Sequence, residues 1–136
     1  YGFSILFNIH GKWMVLCVIG GTATWMIYLL CEALGMDVYT MNLYTTIFAA
    51  LYSEVMARVR RCPVTPYLVI AIFPLLPGAG VYYTMSLGLQ GEMIEALRKG
   101  LETAGIAGSL AVGILLVSTV FRLLTAFLAR RERKQA

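Results

Sequence analysis

Four runs of about twenty apolar residues each dominate this chain, and runs of that length leave few folds open. An α-helix rises ~1.5 Å per residue and a bilayer's hydrocarbon core is roughly 30 Å thick, so each run is long enough to cross it. The runs lie at about 13–34, 38–57, 64–89 and 103–129. They predict an all-α, polytopic membrane helix bundle with four full spans, one transmembrane domain over residues 1–136 and the lipid bilayer as its first partner. Residues 1–9 are too few to cross. They read as the last turns of a helix that starts upstream, in a chain that opens without a methionine or a signal-peptide pattern. Composition excludes the soluble alternative: 60% of residues are hydrophobic, 13% are charged and the mean hydropathy is +0.78. Seven acids and eleven bases cannot coat a water-soluble exterior of this size.

Charge then orients the spans. The connections are 32–37, a basic turn at 58–63 and an amphipathic stretch at 91–102, and the chain ends in a basic tail at 130–136. If the spans alternate, Lys12, Arg58, Arg60, Arg61, Arg130, Arg131, Arg133 and Lys134 share one side, against Arg98 and Lys99 on the other. The positive-inside rule makes the richer side cytoplasmic, so the expected protein is multi-pass in the cell (inner) membrane with a cytoplasmic C-terminus. Bases confined to short clusters between apolar runs also argue against a nucleic-acid partner. Cys17, Cys31 and Cys62 have no paired metal-ligand spacing, and His10 is the only histidine. We expect no metal and no cofactor. No nucleophile–base set or phosphate-cradling loop stands in a suitable context, so no enzymatic activity is expected.

The third run carries the strongest functional pattern: Pro66, then Pro74 and Pro77 followed by Gly78 and Gly80. Each interior proline removes a backbone bond and clashes with the preceding turn, and the glycines supply dihedral freedom, so 74–80 is expected to break the helix near mid-membrane. Unwound backbone at that depth survives where protein or water satisfies it, which is the logic of substrate sites in secondary transporters. Pro74, Pro77, Gly78, Ala79 and Gly80 then border a gap. A second half-helix starting near Ala79 would aim its amides and its dipole at a substrate carboxylate, with hydroxyls from Tyr82, Tyr83 and Thr84 close by. A plain proline kink for packing is the alternative.

The second run offers Asn42, Thr45, Thr46, Ala49 and Ser53 on one face, a polar stripe that should meet protein or a water-filled path. Asn42, Thr45 and Thr46 join the candidate substrate contacts. Glu54, four residues before Arg58, is either an interfacial ion pair or a proton-coupling group. Arg122 either snorkels to the headgroups or partners a carboxylate. On the fourth run Gly100, Ala104, Gly108, Ala107 and Ala111 recur at four-residue spacing, a small-residue face for close packing or for sliding.

Residues 49–85 resemble the small, purely membrane half of the threonine/serine exporter family, through Glu54, Arg58, Pro63, Pro74, Pro77 and Gly78 in order. Leu6, Phe7 and Asn8 are similar to the end of that family's first span. His10 departs from it, standing where proline is expected. The resemblance implies a five-span subunit that pairs with a larger membrane subunit of the same family and exports small hydroxy amino acids. A dicarboxylate exporter of the succinate type and a non-transporting scaffold subunit are the alternatives. A channel is less fitting, because its pore would need a more polar lining.

Overall fold

The computed structural model describes residues 2–6, 11–60 and 63–135, so the expectations for His10, Arg61 and Cys62 lie outside the described residues. Six α-helices follow in order: α1 (Gly2–Leu6), α2 (Lys12–Ala33), α3 (Val38–Arg60), α4 (Thr65–Ile72), α5 (Gly78–Leu89) and α6 (Met93–Gln135). A 3₁₀ turn at Phe73–Leu75 separates α4 from α5. No strand occurs among the described residues.

Local chemistry accounts for the helix ends. Two glycines with φ near +70° and +84°, Gly35 and Gly91, end α2 and α5 in left-handed turns that only glycine adopts cheaply. Around Gly35 the Met36 amide bonds to the Cys31 carbonyl and the Gly35 amide to that of Glu32; Glu92 to Leu87 and Gly91 to Gly88 repeat the pattern. Asp37 caps α3, its carboxylate accepting from the Tyr39 amide at 3.2 Å. The stretch at 91–102 is not a separate connection: the turn closes by Glu92 and α6 starts at Met93, running through the expected tail as one 43-residue helix.

The helices traverse the bundle in alternation. Arg60 at the end of α3 lies 5.2 Å from the Trp13 ring centre at the start of α2, and one level further along Tyr52 donates to the Leu16 carbonyl at 2.6 Å with its ring against Gly20, so these two run antiparallel. Tyr39 meets Gly105, Thr46 meets Gly113 and Arg58 bonds to Thr125, and these pairs descend both helices in step. Helices α3 and α6 are therefore parallel. Between them, α4 and α5 together carry the chain from the Arg60 end of the bundle back to the Asp37 end.

Packing is tightest where side chains are small. Ala49 of α3 is buried with Ala71 and Ile72 of α4, and Cys17 of α2 with Tyr67 and Ile70. The polar stripe of α3 lies inside the bundle: Asn42, Thr45, Thr46 and Ser53 are all buried. Each side chain donates to the backbone carbonyl four residues earlier at 2.7–2.8 Å, which satisfies it without water.

By length and apolarity, two helices can each cross a membrane, 13–33 and 93–127, and α4 with α5 forms a third candidate bent by 53°. Helix α3, at 23 residues, is long enough, yet the stripe that makes it the polar centre of the bundle keeps it below the apolarity of the others. Of the four full spans expected, two helices, or three candidates with the bent pair, meet the length and apolarity of a span among the described residues. The small-residue face of α6 also differs. Gly105 and Gly113 make the close contacts to α3 and Gly100 the one to Thr84 of α5, whereas Gly108 has open space beside it.

Candidate functional site

Helix α4 stops at Ile72 because Pro74 and Pro77 lack the amides that would continue it. The chain passes through the 3₁₀ turn, extends at Leu76 (φ −61°, ψ 128°) and restarts as α5 at Gly78. The Gly78 amide bonds back to the Leu76 carbonyl at 2.7 Å. The amides of Ala79 and Gly80, in the first turn, have no intrahelical partner. Neither Gly78 nor Gly80 adopts a positive φ, so the break rests on the prolines. The glycines serve space instead, and unequally. A side chain on Gly80 would strike Thr103 of α6, while one on Gly78 would meet nothing.

Where α5 leans onto α6 it forms a groove of about 340 Å³, lined by Pro77, Val81, Thr84, Met85, Gly100, Thr103, Ala104 and Ala107. Its hydroxyls are oriented by their own helices: Thr84 donates to the Gly80 carbonyl at 2.8 Å and Thr103 to the Lys99 carbonyl at 2.7 Å. Each oxygen keeps lone pairs for a hydrogen-bond donor in the groove. The groove lies toward the Asp37 end of the bundle, because Gly105, one residue beyond Ala104, sits against Tyr39 in the first turn of α3. Only the start of the break is level with mid-α3, through Ile72 and Ala49.

The structure thus brings Pro77, Gly80 and Thr84 together and leaves other candidates elsewhere. Tyr82 and Tyr83 are 68% and 55% exposed, their rings meeting edge to face with centroids 5.6 Å apart on the outer side of α5. Pro74, Gly78 and Ala79 are exposed at the break itself. Asn42, Thr45 and Thr46 are buried inside the bundle, Thr46 against Gly113 of α6, and none of them lines the groove. At the other end Glu54 and Arg58 pair at 3.7 Å, and Arg58 also reaches α6, donating to Thr125 at 3.1 Å and lying 4.4 Å from the Phe121 ring centre.

Thr103, Met85 and the pair Gly105 and Gly113 carry the α6 contacts but were not singled out from the sequence. The eight-residue spacing of those two glycines, two helical turns, is the signal that marks the α3-facing side. A family model described as threonine/serine exporter, ThrE, matches residues 1–120. The chain belongs to the threonine/serine exporter family. No curated protein and no solved structure matches it. Membership of the exporter family and the apolar helices make it a membrane protein of the transport class.

Proposed function

We propose that this chain is the small, all-membrane subunit of a secondary exporter for threonine, serine and similar amino acids, working with a larger subunit of the exporter family and without cofactor or enzymatic step. The observation that carries the reading is the broken α4–α5 traverse, with a groove beside it where α5 starts against α6. Substrate passes along that groove, its carboxylate near the Ala79 and Gly80 amides and its hydroxyl near Thr84 and Thr103. Pro74 and Pro77 hold the break open, while Asn42, Thr45 and Thr46 spend their polar groups within α3, Thr46 packing against Gly113 of α6.

The same reading has α2, α3, α4–α5 and α6 cross the bilayer four times. It is supported by the alternation of directions along the bundle, with α3 shielded by three neighbours. Trp13, Arg60 and Tyr67 gather at one end, where Arg60 donates to the Tyr67 hydroxyl at 3.1 Å and lies 5.2 Å from the Trp13 ring centre. Asp37, Glu92, Glu95 and Glu102 lie at the other. Bases rather than acids set orientation, and in the sequence eight belong to the first end against Arg98 and Lys99 at this one, which favours a cytoplasmic C-terminus in the inner membrane.

A scaffold subunit is the second reading, favoured by the apolar lining of the groove and by α5, which has no buried residue and exposes Val81, Tyr82, Tyr83, Met85 and Leu89. The two diverge in a protection experiment. Cysteine placed at Ala104 in the groove reacts with a thiol reagent; in the exporter, excess threonine slows that reaction and the attached reagent blocks export. Labelling that threonine does not slow, with export intact afterwards, favours the scaffold.

A further inference from the structure

The basic end of the bundle holds a second groove, of about 420 Å³, between α3 and α6. Glu54 and Arg58 form one wall, and Phe121, Arg122, Thr125 and Ala126 the other. The in-step pairing of the two helices sets Glu54 level with Phe121 and Arg122, a little more than one turn before the Arg58–Thr125 bond.

The three charges are not equivalent. Arg58 is engaged by Thr125 and by the Phe121 ring. Thr125 in turn donates to the Phe121 carbonyl at 2.8 Å. Glu54 has a side chain only 14% exposed, and its one contact, to Arg58 at 3.7 Å, is beyond hydrogen-bonding distance. Arg122 makes no hydrogen bond or ion pair among the described residues. A half-buried carboxylate with open acceptor sites therefore shares one small groove with an unengaged guanidinium. Glu54 has Arg58 as its counter-charge, whereas Arg122, exposed on α6, has none among the described residues.

We propose that this groove is a binding station for a small zwitterion, an α-amino acid whose carboxylate is taken by Arg122 and whose ammonium is taken by Glu54. Arg122 can grip a carboxylate with two parallel N–H bonds. Glu54 selects against molecules that carry a second carboxylate instead of an ammonium, since like charges in a partly desolvated groove repel. The Phe121 ring, held under Arg58, gives the groove an apolar wall for a short side chain. The station is at the opposite end of the bundle from the α5–α6 groove, so that a substrate would meet charged groups first and that groove later. It rests on the exporter reading only for the identity of the zwitterion.

The test measures equilibrium binding of labelled threonine to the gently solubilised full-length protein with its family partner, and threonine uptake into inside-out membrane vesicles containing the same proteins. Arg122→Gln and Glu54→Gln should each weaken threonine binding about tenfold or more, the loss of one charge-assisted contact, and Arg122→Lys, which keeps the charge but not the two-bond grip, should recover only part of it. Glu54→Gln should also let 3-hydroxybutyrate, which has the carboxylate but no ammonium, compete as well as threonine does, a change of selectivity that misfolding would not produce. Unaltered threonine affinity and selectivity in both variants overturns the station even where the wild type transports threonine, and so does a wild type that binds no threonine. Binding that depends on both residues, with no threonine uptake by the wild type, upholds the station and removes the exporter reading instead.

Discussion

Gly80 at the start of α5 lies so close to Thr103 of α6 that no Cβ fits between them. That contact fixes how α5 sits after the break and closes one end of the groove lined by Pro77 and Thr84. The two glycines after the prolines thus differ in kind, since Gly78 has free space where its side chain would be.

Gly80→Val should abolish export at unchanged membrane abundance by levering α5 off α6, whereas Gly78→Val should leave export within about twofold of wild type. Gly80→Ala should reduce export and Thr103→Ser, placed with it, should restore part of the loss, because it removes the crowding methyl and keeps the hydroxyl that the substrate needs. Efflux of labelled threonine at matched protein abundance checks all four. Equal effects at Gly78 and Gly80 would contradict the account.

The α3–α6 seam gives a second expectation. A Cβ on Gly113 would come within 3.0 Å of the Thr46 side chain and 3.3 Å of the Leu43 carbonyl, which is backbone and cannot turn aside. Gly113→Leu should therefore cost about 1–3 kcal/mol, an overpacking penalty. Thr46→Val keeps the shape and removes only a bond to a carbonyl within its own helix, so it should cost under about 1 kcal/mol. Thermal unfolding in detergent separates the two variants. A large loss from Thr46→Val would contradict this and show that the hydroxyl holds more than a bond within its own helix.

Orientation is open to direct labelling. Gln90 stands exposed in the turn between α5 and α6, at the end opposite the basic cluster. In intact cells, Gln90→Cys should react with a membrane-impermeant thiol reagent added outside, while native Cys62 should react only after the membrane is opened. The reverse order would place the C-terminus outside.

The helices themselves were legible because apolar length, glycine stops and paired prolines are local signals, and so the break at Pro74 and Pro77 could be read directly. Depth and partnership were not. Whether Asn42, Thr45 and Thr46 face water or protein depends on which helix lies opposite, and the structure answers with Gly105 and Gly113, spaced to clear a path for α3. Periodicity alone favoured the Gly100, Ala104, Gly108 face, since four-residue spacing identifies a small face without saying what covers it. Gly78 and Gly80 looked alike in sequence because a close contact to Thr103 is a property of tertiary packing. Helix α3 met the length of a span but not its apolarity, for its polar face is spent on internal bonds. Residues 91–102 looked like a connection because their charges mask a helix that runs on unbroken into α6.

Export of small hydroxy amino acids is tested most directly by loading cells with labelled threonine, serine or succinate and following efflux with and without this chain and its proposed family partner. Threonine and serine efflux should rise when both subunits are present, fall to background when this chain is removed, and remain at background with Gly80→Val in its place, while succinate efflux stays unchanged. Efflux of threonine and serine that is the same with and without the chain would contradict the central claim, and a rise confined to succinate would assign the subunit to dicarboxylates.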